Sequence, residues 1–69
     1  MAFYNKDNTV LFNPKYIQTV KIHHNYALGV YYVNIIMNGG NEITAFEYIS
    51  SGKAEDMLEF IKNEMEAKD

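Results

Sequence analysis

The residues of this chain that could do chemistry begin with the pair His23-His24, which looks like part of a metal site. Adjacent residues of a β-strand point to opposite faces of a sheet, so the two imidazoles could not easily hold one ion. The chain has no cysteine that could add a thiolate ligand. We therefore predict two solvated histidines near a strand end, whose protonation at roughly pH 6 could tune an interface that they border.

Two serines and a glycine-rich loop are the next candidates for chemistry. Ser50 and Ser51 could be nucleophiles only beside a base and an oxyanion hole, whereas helix N-capping explains their position fully. The loop Asn38–Asn41 has predicted strands on both sides, while a phosphate-binding loop lies between a strand and a helix. The sequence therefore predicts a non-enzymatic protein without catalytic, cofactor or metal residues.

Length and composition restrict the class of protein further. Residues 1–69 make one domain, and a chain this short buries only about 60% of its unfolded surface. With no cysteine, self-association is the leading source of additional stability. The net charge is −3 and all six cations are scattered lysines, which argues against nucleic-acid binding. No apolar run approaches the roughly 20 residues of a membrane span, and no signal peptide is recognisable. We expect a cytoplasmic protein.

The amino-acid usage also carries a hint of origin. Asn, Ile, Lys and Tyr are abundant, whereas Arg and Trp are absent. The four abundant types have AT-rich codons, which is typical of a low-GC bacterium, its plasmid or its phage.

The elements that would position these residues form an α+β fold, a small antiparallel sheet of three to four strands followed by one amphipathic helix. The strands are expected at about residues 9–12, 17–24, 30–37 and 42–49, and the helix at about residues 52–66. Asn13-Pro14 ends the first run, which is therefore an edge strand or a lead-in. A bulge or short turn at Lys15–Gln18 would bring Ile17 into phase with Val20.

The clearest local prediction is a β-hairpin that leads into the helix. Gly39 and Gly40 supply the positive φ angles that tight hairpin turns need. After Ser50 and Ser51, apolar residues recur at helical spacing and define a buried stripe: Ala54, Met57, Leu58, Ile61 and Met65. The opposite side of the helix is acidic: Glu55, Glu59 and Glu66.

A turn centred on Gly39-Gly40 places Met37 opposite Glu42 and Val30 opposite Ile49, and this register makes both hairpin faces apolar. One face fits under the helix: Tyr31, Val33, Ile35, Met37, Phe46 and Tyr48. The other also carries apolar side chains, with Asn34 and Glu47 as its polar members: Val30, Tyr32, Ile36, Ile43, Ala45 and Ile49. Solvated faces of antiparallel sheets are normally polar.

The second face is therefore covered in part by Thr9–Phe12 or the N-terminal residues, or by a partner chain, unless the register differs. Contiguous exposed apolar patches usually mark interaction surfaces. We predict a protein–protein interaction module, a homo-oligomer and in particular a homodimer, with Phe60 at the flank of the helix stripe added to the surface. The predicted interaction residues are Val30, Tyr32, Ile36, Ile43, Ile49 and Phe60. The alternative is a small phage- or plasmid-encoded inhibitor or adaptor that binds a host protein through that face or through the acidic helix.

The order of short strand, Asn-Pro, strand, hairpin and helix resembles the short flagellar FlbD-like proteins. The likeness covers residues 9–65 and lies in Asn13, Ile17 and Val20, the hairpin, and the stripe residues Ala54, Leu58 and Ile61. The resemblance implies a strand–hairpin–helix fold and a role in motility, and it identifies no functional residue.

Overall fold

A computed structural model describes residues 1–67 and shows the predicted α+β fold. Strands β3, β4 and β5 form an antiparallel sheet with β4 in the middle, and β1 and β2 form a separate two-stranded sheet. The predicted run at residues 9–12 is therefore not a strand of the main sheet, because Leu11 and Phe12 pair with Tyr4 and Phe3 instead. The elements are β1 (Phe3–Tyr4), β2 (Leu11–Phe12), a 3₁₀ helix (Pro14–Tyr16), β3 (Ile17–Asn25), β4 (Val30–Met37), β5 (Glu42–Tyr48) and α1 (Ser51–Glu66).

The small N-terminal hairpin is built around the side chain of Asn5. Its Oδ1 accepts hydrogen bonds from the backbone N–H groups of Thr9 at 2.8 Å and Val10 at 3.0 Å. Although Asn5 is polar, it is buried, and these bonds satisfy its acceptor. The hairpin delivers Phe12 into the core, where its ring stacks on Phe3 with centroids 5.5 Å apart.

The chain then passes into β3 through a capped 3₁₀ turn. Asn13 Oδ1 accepts a hydrogen bond from the Lys15 N–H at 3.2 Å, and Pro14 occupies the first helical position. The pairing of β3 with β4 shifts register between Ile17 and Thr19. The predicted adjustment at Lys15–Gln18 is confirmed, and it consists of both a short turn and a bulge.

Helix α1 begins at Ser51, slightly earlier than predicted, and covers one face of the sheet. Ser50 is the N-cap, and its hydroxyl accepts a hydrogen bond from the Lys53 N–H at 3.4 Å. Four residues of the predicted stripe face the core, since Ala54 and Ile61 are fully buried and Met57 and Met65 pack against the core from its margin. The fifth, Leu58, is half-buried outside this cluster. The main buried cluster consists of Phe12, Ile17, Val33, Ile35, Ala45, Phe46, Ala54 and Ile61.

The predicted register of the β4–β5 hairpin is right in one half and wrong in the other. Val33 lies opposite Phe46 as expected, but Asn34 then lies opposite Thr44 and Ile35 opposite Ile43. Ala45 is the additional residue of a β-bulge, and such an insertion shifts the phase of the following side chains by one position. Ile43 therefore packs against the core beneath the helix, and Ala45 is fully buried in that core.

Candidate interaction surfaces

The uncovered face of the sheet is more polar than the sequence suggested. Because of the bulge, β5 presents Glu42 and Thr44 on this face in place of Ile43 and Ala45. The register of β3 adds a second polar edge: Thr19, Lys21, His23 and Asn25. Among the described strand residues of this face, the apolar side chains lie along the middle strand, at Val30, Tyr32 and Ile36. Because both outer strands present polar residues here, the prediction of a continuous apolar face is wrong.

The six predicted interaction residues do not form one surface. Val30 is buried and Ile43 belongs to the core side, while Tyr32 and Ile36 are half-buried on the middle strand. Ile49, in the connection before α1, is 85% exposed. Phe60 is 43% exposed on the helix flank and packs edge-to-face against Phe3, with ring centroids 5.8 Å apart. Of the six predicted residues, Ile49 and Phe60 are therefore the two that are exposed.

A polar row crosses the middle of the uncovered face. Asn34 Nδ2 donates a hydrogen bond to Glu42 Oε2 at 2.9 Å, and Lys21 Nζ lies 3.5 Å from the same oxygen. Asn34 itself is 91% buried by its neighbours, and its Oδ1 has no hydrogen-bond partner within residues 1–67. The row therefore separates the apolar groups of β4 and leaves one acceptor unsatisfied.

The two histidines lie on opposite faces of β3, as predicted. His23 stacks on Tyr32 of the uncovered face, with centroids 6.3 Å apart. His24 lies between Tyr31 and Tyr26, with centroid distances of 4.1 Å and 4.0 Å. Each ring therefore packs against tyrosine, and within the described part of the chain no three His, Asp or Glu side chains are grouped to bind a metal ion.

The two edges of the main sheet differ in how they are protected. At the β5 edge the Lys6 N–H donates to the Ala45 carbonyl at 2.9 Å, and Lys6 Nζ lies 3.1 Å from Glu47 Oε1. The hydrogen bond and negative charge of Glu47 raise the pKa of Lys6. The β3 edge has no such cover, because within residues 1–67 no hydrogen bond from outside the sheet reaches the backbone of residues 18–24.

Two shallow grooves flank α1. One, of about 310 Å³, lies beside the open β3 edge and is lined by Thr19, Val20, Lys62, Met65 and Glu66. The other, of about 340 Å³, lies on the opposite flank and is lined by Tyr48, Lys53, Asp56, Met57 and Phe60. Burial raises the pKa of the Tyr48 hydroxyl. The first groove combines apolar and charged side chains with an adjacent strand edge whose outward backbone groups are available.

Sequence reasoning missed this combination of edge and groove, although part of it was accessible. Short turns joining β3, β4 and β5 favour a meander, in which β3 must be an edge strand once residues 9–12 are excluded. The groove depends on how far α1 extends beside β3, which no residue pattern specifies.

Comparison with known proteins identified no related sequence or structure. No protein family, curated protein or solved structure shows significant similarity to this chain. The resemblance to FlbD-like proteins therefore stays a prediction. Among residues 1–67, no helix has both the length and the apolar character needed to cross a membrane.

Proposed function

We propose that this chain is a non-enzymatic protein–protein interaction module that forms a homodimer through the free edge of β3. The observation that carries the proposal is the difference between the two sheet edges, one contacted by the Lys6 backbone and the other open over residues 18–24 of β3. Antiparallel pairing of β3 with β3 of a second copy joins two three-stranded sheets into one. The cysteine-free composition fits a module that works in the cytoplasm.

The driving force is the pairing of backbone groups that otherwise face water. In an antiparallel strand alternate residues direct their N–H and C=O groups to each side, so about three or four residues of each β3 would bond across the contact. Exposed strand edges are established templates for pairing with another chain. An isologous contact of this kind uses the same surface on both copies.

The polar row on the uncovered face favours edge pairing over a face-to-face contact. A contact between two uncovered faces would bury the row formed by Lys21, Asn34 and Glu42, and burial of charged groups is costly. Edge pairing leaves that row at the solvent. Lysine on an edge strand commonly discourages pairing, but Lys21 lies 3.5 Å from Glu42, which offsets its charge.

The test is sedimentation equilibrium or light scattering over a wide range of protomer concentration. We expect a mass approaching twice the chain mass of 8.0 kDa as concentration rises. Thr19→Lys adds a second positive charge to the β3 edge and should raise the dissociation constant about tenfold. Thr44→Lys is the matched control, because Thr44 is also exposed but lies on β5, the capped edge strand.

Two outcomes would contradict the proposal. One is a wild-type protein that stays monomeric at all concentrations, and the other is an equal effect of Thr19→Lys and Thr44→Lys. Circular dichroism of each variant establishes that a lost dimer does not reflect a lost fold.

A further inference from the structure

The groove beside the β3 edge specifies how the two copies meet. We infer that the two-fold axis passes close to Val20 and that Lys62 of each copy pairs with Glu66 of the other. This inference rests on the proposed homodimer, and it adds the register of the strands and the side chains that select a second copy of this chain as the partner.

The position of α1 places its C-terminal half beside the strand contact. The helix starts directly after β5 and packs against all three strands, most extensively against β3. Its last turns reach the start of β3, where Lys62, Met65 and Glu66 line the groove together with Thr19 and Val20. An added strand at this edge would lie under these three helical side chains.

The spacing of strands brings the two helices within reach of each other. In the joined sheet, β4 of one copy and β4 of the other are three strand spacings apart. If each α1 were centred over its own β4, the two helix axes would therefore be about 14 Å apart. Helices in direct contact lie about 8–10 Å apart, so the remaining gap suits long side chains. Met65 is half-buried at the margin of the core, and Lys62 and Glu66 are exposed beside it.

The charges on this part of α1 are self-complementary. Lys62 and Glu66 lie one helical turn apart. A two-fold axis between antiparallel helices places Lys62 of each copy opposite Glu66 of the other, which gives two such contacts in the dimer. Among residues 1–67, the carboxylate that Lys62 approaches is that of Glu59, at 4.0 Å, and both side chains are more than half exposed. Glu66 makes no ion pair among the described residues 1–67.

The charge on β3 argues against one register, and the groove beside Val20 favours another. An axis through Lys21 would place two like charges directly opposite each other, which is unfavourable in a cross-strand pair. An axis through Val20 instead places Thr19 opposite Lys21 of the other copy. It also brings the two Val20 side chains together on the helix-covered face, where each already packs against its own core.

Charge reversal tests the helix contact. Lys62→Glu and Glu66→Lys should each weaken self-association about tenfold, because two attractive contacts become repulsive. Mixing the two variants should restore dimers of wild-type affinity, as heterodimers with opposite charges at every contact. Lys53→Glu and Glu55→Lys are matched controls, since both residues are exposed at the other end of α1. Neither control should weaken the dimer, and mixing them should change nothing.

Cysteine cross-linking tests the register in a chain that has no cysteine of its own. Residues opposite each other in an antiparallel pair have Cα atoms about 4.5–5.5 Å apart, within the range of a disulfide. Val20→Cys should therefore form a covalent dimer under mild oxidation, whereas Thr44→Cys should not.

The outcomes separate this inference from the homodimer itself. A wild-type dimer in which charge reversal has no effect and Val20→Cys does not cross-link overturns the inference and leaves edge pairing intact. A wild-type monomer overturns both. Selective restoration on mixing, together with the Val20→Cys cross-link, supports the arrangement.

Discussion

Replacing Asn34 with valine should stabilise the fold, although it removes a hydrogen bond. The bond from Asn34 Nδ2 to Glu42 Oε2 is 2.9 Å long, but the Glu42 side chain is 40% exposed and keeps Lys21 as a partner. A hydrogen bond to a charged group contributes about 1.5–3 kcal/mol, and the exposure of this carboxylate places the cost of losing the bond near the lower value, about 1.5 kcal/mol. The buried Oδ1 of Asn34 is unsatisfied within residues 1–67, and removing such an acceptor recovers about 1–3 kcal/mol.

Valine also has a higher β-propensity than asparagine, by up to about 1 kcal/mol. The balance favours Asn34→Val by about 1 kcal/mol, and for a domain of this size each kcal/mol corresponds to roughly 4–8 °C in Tm. Urea denaturation at one fixed protomer concentration, followed by circular dichroism, measures the free energy of unfolding. Thr44→Val is the control, because it changes the exposed neighbour opposite Asn34 and removes no buried acceptor. An Asn34→Val variant that is less stable than wild type by 1 kcal/mol or more, beyond the effect of Thr44→Val, would refute the reasoning.

Two further predictions concern the N-terminal hairpin and alkaline pH. Asn5→Ala should lower the free energy of unfolding by about 1–2 kcal/mol in urea denaturation, because the N–H groups of Thr9 and Val10 lose their acceptor; an unchanged midpoint would contradict this. Burial disfavours the phenolate and so raises the pKa of Tyr48 above its ordinary value of 10.0. The stability linked to this group is therefore complete below pH 10 and is lost as pH rises through the folded-state pKa. Tyr48→Phe should therefore remove a change in phenolate absorbance that occurs above pH 10, and loss of a change below pH 10 would be the contrary result.

The parts of the fold that the sequence predicts are those with strong local signals. The hairpin turn follows from Gly39 and Gly40, which have φ angles of +101° and +97°. The helix follows from the Ser50 cap and from the spacing of residues such as Ala54 and Ile61. In these places the local chemistry and the tertiary structure agree.

The bulge was harder to predict because its signal is a change of phase. Ile43 and Ala45 alternate in one phase, and Phe46 and Tyr48 alternate in the other. A uniform register assigns these pairs to opposite faces, whereas the bulge at Ala45 brings both to the core side. A shift of apolar phase within one strand is therefore a usable sign of a bulge.

The candidate surface could be predicted only in part. Exposure of Ile49 and of Phe60 at the margin of the helix stripe agrees with the residue pattern. The open β3 edge and the groove beside Val20 and Lys62 arise from which elements pack at each side of the sheet. Those contacts join residues far apart in the chain, and no local periodicity encodes them.

If the proposed dimer forms, the backbone hydrogen bond between Lys6 and Ala45 would also limit how many copies can assemble. A sheet with two open edges can pair with another copy at each edge, and repeated addition of copies would extend it into a ribbon. With Lys6 at the β5 edge, the proposed pairing would leave each copy one edge, that of β3, for association. Pairing of two copies would then use both available edges, and the proposed assembly would end at two copies. The donor is a main-chain group, so this limit does not depend on the lysine side chain but on the N-terminal hairpin that holds residue 6 in place.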